Sequence, residues 1–211
     1  MSSSAQHSSD ADLAGQVLTV RGPVSPDHLG VTLMHEHLFL DLRKAHLPHL
    51  KLVYVEGRYE HIRTTEDFPA TELAVWEAKV SPGNRHLARE VLPIADNYVL
   101  EDEELAISEV LEFRKRDGGT IVDVTSIGLK RDPLALRRVS EATGLNVVMG
   151  TAFYQKVFHP EDMDSRSVEE LTDEIVRDVV VGVADTGVRS GIIGEVGVNG
   201  DPITPNEIKS I

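Results

Sequence analysis

The sequence predicts an α/β fold built on parallel strands, and three observations carry that prediction. Apolar segments rich in Val, Ile and Leu recur at residues 31–40, 120–126, 146–153 and 190–198, and continuous apolar composition suits strands covered on both faces. Helix signals fill the gaps between them, so strand and helix alternate, as right-handed parallel crossovers require. Aromatic residues make only 5% of the chain against 41% hydrophobic overall, so the core load falls on small aliphatic side chains.

Taken in order, residues 1–15 are rich in Ser, Ala and Asp and lack an apolar stretch. They read as a disordered leader, with residues 16–211 forming the folded part. Residues 16–30 read as a short extended pair, with Gly22-Pro23 and Pro26-Asp27 supplying turns. The first core strand is expected over 31–40. Residues 41–97 are long and irregular, carry His46, His49, His61, His86 and Trp76, and read as a lid or pocket-forming insert. Helical pieces are expected within it at 70–79 and 86–94, and core packing is the expected role of Trp76 and Tyr98.

A helix over 102–117 stops at Gly118-Gly119, and a strand over 120–126 follows. Asp132 reads as an N-cap with Pro133 in the first helical position, and Gly144 as the left-handed stop. After the strand at 146–153, Ser167 and Glu170 form a capping-box pattern ahead of Leu171, Ile175, Val179 and Val183 at fourfold spacing. The last strand is expected over 190–198, and Thr204-Pro205-Asn206-Glu207 opens another helix. Four core strands fit either a small open sheet or the first half of a barrel, since a complete eight-stranded barrel takes about 250 residues. The end falls just inside a helix, which favours the half-barrel and a chain incomplete at its C-terminus.

The 211 residues include 35 acidic and 21 basic side chains, for a net charge of -14. Such a surface repels phosphate backbones and gives no attraction to anionic membranes, so neither nucleic acid nor membrane is an expected partner. No apolar run approaches transmembrane length, and a cytoplasmic location is the default expectation. Cysteine is absent, so disulfides and thiolate metal sites are excluded, and any metal would be held by His and carboxylate.

The segment Gly30-Val31-Thr32-Leu33-Met34-His35-Glu36-His37 places two histidines two residues apart in an apolar run. Residues i and i+2 of a strand share a face, so His35 and His37 project together. Paired imidazolium charges repel there, which makes a shared divalent ion a natural reason for the pair; hydrogen-bonded core histidines are the alternative. Glu195 lies mid-strand in Ile193-Gly194-Glu195-Val196-Gly197. A buried acid needs a metal or a buried cation, and the flanking glycines permit close backbone approach. In a parallel sheet all three residues fall near the C-terminal rim, where two His and one carboxylate suit zinc.

Other residues are weighed individually. Tyr154, at a strand end, is expected to line a pocket. Arg131 follows a strand end and can meet an anionic substrate group, although an exposed arginine beside a helix N-cap is the favoured reading. Asp123 reads equally as a support for a metal site or as a hydrogen-bonded structural acid. Glu36 alternates away from its histidine neighbours toward the helix layer. His159 is expected in an exposed loop.

The run Gly30 to His37 closely resembles the first signature of the phosphotriesterase family in the amidohydrolase superfamily. Thr120-Ile-Val-Asp-Val-Thr125 with Gly128 and Arg131-Asp132, Gly150-Thr-Ala-Phe-Tyr154, and Gly194-Glu-Val-Gly197 continue the resemblance from about Val17 onward. It implies the N-terminal half of a (β/α)8 barrel. It also implies two divalent ions, zinc foremost, with His35 and His37 on the more buried one and Glu195 in the bridging position. The branch with glutamate there includes the phosphotriesterase-related proteins. The family's two further histidines and its proton-accepting aspartate would lie beyond Ile211. The implied activity is hydrolysis of an ester-type bond (phosphotriester, lactone or carboxyl ester) in a small molecule by a metal-bridging hydroxide. Amide hydrolysis and an inactive metal-binding fragment are the alternatives, and a metal-free binding module with structural histidines is a third. A half-barrel exposes strand edges, so a homodimer is also an expectation.

Overall fold

The computed structural model describes residues 13–47, 49–55, 58–66, 68–87, 94–199 and 202–211, with the backbone alone for 49–63. Residues 1–12 of the leader and residues 88–93 of the helix expected at 86–94 lie outside the described residues. The chain divides into two compact units where the sequence reads as one, Met1–Phe39 with Asp102–Ile211, and Leu40–Glu101.

The first unit opens with β1 (Val17–Thr19) and β2 (Gly22–Val24), an antiparallel pair in which Val17 faces Val24. The pair is tied to the sheet where the Val20 amide donates to the Val147 carbonyl at 2.9 Å. β3 (Val31–Glu36) follows. The second unit then contributes β4 (Leu40–Asp41), α1 (Arg43–His46), β5 (His49–Val55), β6 (Arg58–Thr64), α2 (Ala70–Trp76) and β7 (Val99–Leu100). Within it β5 pairs antiparallel with β6, and β4 with β7. Trp76 is buried, and Tyr98 stacks on His46 with ring centroids 4.0 Å apart. The expected insert is therefore a folded unit of its own.

The first unit resumes with α3 (Glu103–Arg114), β8 (Gly118–Asp123), α4 (Pro133–Thr143), β9 (Asn146–Thr151), α5 (Val168–Val180), β10 (Ile192–Ile193) and α6 (Pro205–Ser210). The caps fall where the sequence places them. Asp102 accepts from the Leu105 amide, Asp132 from Ala135, Gly144 takes φ 71°, and Ser167 and Thr204 head capping boxes. Each N-terminal cap satisfies amides that the first turn leaves without partners, while the Gly144 amide donates to the Ser140 carbonyl at the other end.

Four strands form one parallel sheet in the order β10-β9-β8-β3. Side chains alternate across it, as the two-residue strand period demands. Ile121, Val147 and Met149 join Leu136 and Val139 of α4 in the main core, while Val122, Val124 and Val148 form a separate cluster. Each buried aliphatic side chain contributes about 1.5–3 kcal/mol.

The edge strands depart from expectation. The run at 31–40 was expected to be buried, yet Val31 is 58% and Met34 64% exposed. Among the described residues, β3 has a neighbour on one side only, β8. The strand expected over 190–198 keeps only Ile192–Ile193. At Gly194 the chain leaves the ladder and turns across the sheet, its amide donating to the Thr151 carbonyl at 2.6 Å and that of Glu195 to Val124 at 2.9 Å. A Cβ on Gly194 would lie 2.7 Å from the Val124 carbonyl oxygen and 2.8 Å from that of Thr151, so the turn requires glycine.

Candidate metal centre

β3 and β10 are opposite edges of the sheet. With strands about 4.8 Å apart, the edges of a flat four-stranded sheet stand about 14 Å from each other. His35 closes β3 with Glu36, His37 lies one residue beyond, and Glu195 lies two residues beyond β10. Nevertheless, His35 Nε2 lies 3.7 Å from Glu195 Oε1 and His37 Nε2 3.5 Å from Glu195 Oε2. The sheet must curl, and the crossing at Gly194 must carry Glu195 inward, for these edges to meet.

One ligand atom from each of the three residues lies within 4.8 Å of the others. The imidazoles meet edge to face, with centroids 5.6 Å apart and planes at 72°. The nitrogen-to-oxygen gaps exceed hydrogen-bond length, which ends near about 3.2 Å. They match what a tetrahedral ion imposes, because nitrogen at about 2.0–2.1 Å and oxygen at about 2.0–2.2 Å from zinc stand roughly 3.4 Å apart. The residues present therefore fit a divalent ion. Each carboxylate oxygen faces a different histidine, an arrangement open both to two-point grip of one ion and to bridging. The His35 side chain is 63% exposed and that of Glu195 26%, so the mid-strand buried acid of the sequence reading is instead half-buried beyond the strand end.

The neighbours of His37 decide which of its nitrogens is available. His37 Nδ1 lies 2.9 Å from Thr125 Oγ1, whose hydroxyl donates to the Phe39 carbonyl at 3.3 Å. With its own proton committed there, the hydroxyl accepts from Nδ1–H, leaving the Nε2 lone pair facing Glu195. Asp123 is fully buried. Its carboxylate accepts the Leu38 amide at 2.7 Å and the Thr125 amide at 3.1 Å. Burial pushes its carboxyl above the ordinary value, against the opposing pull of those hydrogen bonds. It joins the residue after His37 to the end of β8, a hydrogen-bonded structural role.

Tyr154 stands within electrostatic reach of the cluster, since burial and then the Glu195 charge raise its phenol. Arg131 differs from the favoured expectation. Its side chain is only 7% exposed, with Nη2 2.8 Å from the fully buried Asp178 and Nη1 donating to the Gly150 carbonyl at 3.0 Å. Its fork binds α5 to the end of β9, as a buried guanidinium must be paired. His159 is buried as well, Nε2 lying 2.7 Å from the Tyr154 carbonyl, and burial lowers its pKa. Sequence reasoning missed Thr125 and Asp178. Thr125 was legible only as a hydroxyl two residues after Asp123, and Asp178 as an acid on the apolar stripe of α5.

A curled parallel sheet with two imidazoles and a carboxylate meeting beyond its strand ends defines an α/β protein with a candidate metal centre at the C-terminal rim. The model of the phosphotriesterase family matches residues 15–211, and the chain belongs to that family. It is 33% identical to the N-acetyltaurine hydrolase of Dictyostelium discoideum over 207 residues, 93% of this chain and 54% of that protein. A phosphotriesterase-related protein of Nematostella vectensis is 34% identical over 200 residues, 94% of this chain and 52% of that protein. A resiniferatoxin-binding protein from Rhodobacter sphaeroides superposes with a TM-score of 0.77 at 35% identity, covering 93% of this chain and 50% of that one. The chain thus spans about half the length of the relatives it matches, and its curled sheet is compatible with the family barrel. Among the described residues, no helix is long and apolar enough to cross a membrane.

Proposed function

We propose that this chain supplies His35, His37 and Glu195 as ligands of a divalent ion in a metal-dependent hydrolase centre, and that the bond cleaved is an amide. The carrying observation is the pair of 3.7 and 3.5 Å gaps between imidazole nitrogens and carboxylate oxygens. The nitrogen and oxygen donors favour zinc, with manganese and cobalt as competitors. The amide assignment rests on the curated relatives named N-acetyltaurine hydrolase, which carry an acyl–nitrogen bond in the substrate's name. Ester-type bonds, expected from the motif alone, form the comparison arm.

A bound ion would supply Lewis-acid polarisation of a carbonyl and acidify water towards neutrality. The residues do the rest. Thr125 holds His37 in the tautomer that presents Nε2. Glu195 would offset the charge of a bound ion. Asp123 fixes the backbone that carries His37. Tyr154 places a protonated phenol near Glu195 for contact with a small substrate.

The test is a titration of zinc, manganese and cobalt into chelator-treated protein. Elemental analysis and hydrolysis of an N-acyl aminosulfonate, an aryl ester, a lactone and a phosphotriester accompany it. Saturable metal uptake that disappears in the His35→Ala, His37→Ala double variant, with the amide the best-cleaved substrate, is the expected result. Unchanged metal content in the double variant contradicts the ligand assignment. Preferential cleavage of an ester-type substrate overturns the amide assignment alone.

A further inference from the structure

At the far end of the same strands lies a cleft of about 280 Å³ that the metal centre does not use. It is formed by the turn between β1 and β2, by α4, and by the segment leading into β10. Arg21 reaches the Leu145 carbonyl just ahead of β9, so the cleft opens toward the amino ends of the strands. Three arginines line it, Arg21, Arg137 and Arg189.

These arginines are unusual in so acidic a chain. Among the described residues, none of the three has a carboxylate within ion-pair distance. Each donates instead to one backbone carbonyl: Arg21 to Leu145 at 3.3 Å, Arg137 to Thr186 at 2.8 Å and Arg189 to Val179 at 2.6 Å. A guanidinium carries five N–H donors, so most of the donors remain. Val179 lies in the last turn of α5, where the helix carbonyls favour a cation, which accounts for the anchoring of Arg189. It does not account for the gathering of three cations at one cleft. One exposed acid, Glu141, also lines it, so the lining carries two net positive charges.

We propose that this cleft binds a small phosphate-type oxyanion, with Arg21, Arg137 and Arg189 as its ligands. Planar forks match tetrahedral oxyanions by paired hydrogen bonds, and a dianion balances the net charge of the lining. The ligand is either inorganic phosphate or the phosphate group of a small metabolite. This site is independent of the hydrolase reading.

The experiment is calorimetric titration of the full chain with inorganic phosphate and with glycerol phosphate, against chloride at matched ionic strength. Saturable binding through the millimolar range is expected with either phosphate and absent with chloride. Arg21→Gln, at an exposed position, should weaken it by about tenfold or more, since a charged hydrogen bond is lost. Glu141→Gln should tighten it by removing the one repelling charge. The His35→Ala, His37→Ala variant should bind phosphate unchanged. Tighter binding of glycerol phosphate identifies a metabolite as the ligand, and equal binding identifies free phosphate. Absence of saturable binding, or binding indifferent to Arg21→Gln and Glu141→Gln, overturns the proposal. Binding lost only in the histidine variant would place the anion at the metal centre and overturn it equally.

Discussion

The inner and outer strands of the sheet divide the labour of this molecule. β8 and β9 carry the buried side chains Ile121, Val122, Val147, Val148 and Met149. β3 and β10, the two edges, are largely exposed and deliver His35, His37 and Glu195. Close packing leaves the inner strands no freedom to host polar groups without partners. The edges have that freedom, and the curl brings their ends together. Stability and chemistry should therefore separate under mutation, and substitutions can test that separation.

The largest effect is expected in the inner region. Asp178→Ala leaves the Arg131 guanidinium buried without its partner and should cost about 3–5 kcal/mol in chemical denaturation. Met149→Ala opens a cavity in the main core and should cost about 2–5 kcal/mol, with metal affinity per folded molecule little changed. On the edges the pattern should invert. His35→Ala with His37→Ala should lower metal affinity by more than about 100-fold while shifting stability by no more than about 1 kcal/mol. A large stability loss in that variant would break the comparison. Thr125→Val sharpens it, because the change keeps shape and removes the acceptor for His37 Nδ1. Metal affinity should fall about 10–100-fold, and nitrogen NMR of the metal-free protein should show His37 losing its single tautomer.

A further effect concerns acid. Glu207 is fully buried, and its carboxylate accepts from the Asn199 and Thr204 amides and the Thr204 hydroxyl, each at 2.8 Å. Burial alone would raise its pKa, but these donors outweigh it and hold the carboxyl at about 2 against an ordinary 4.5. A carboxyl depressed in the folded state contributes stability that is complete above its unfolded value. That contribution should disappear as pH falls from 4.5 through about 2. Thermal melts of Glu207→Gln should lose this acid limb, whereas an unchanged limb would assign it elsewhere.

The sequence shows the inner region better than the edges. Caps at Asp132, Ser167 and Thr204 and the runs through Val122 and Val148 depend on local chemistry, and the structure keeps them within a few residues. The histidine pair and Glu195 were legible as types, and they do converge. What could not be read was long-range. The exposure of β3 depends on which strands flank it, and the early end of β10 depends on the carbonyls of Val124 and Thr151 that receive its turn. The burial of Arg131 and His159 depends on Asp178 and on the Tyr154 carbonyl, neither adjacent in sequence.

The most direct measurement is anomalous diffraction at the zinc edge from crystals of the metal-loaded protein. The account predicts a peak about 2.0–2.2 Å from His35 Nε2, His37 Nε2 and a Glu195 carboxylate oxygen together. A zinc peak elsewhere, or these three side chains turned apart around empty density while zinc binds in solution, would contradict it.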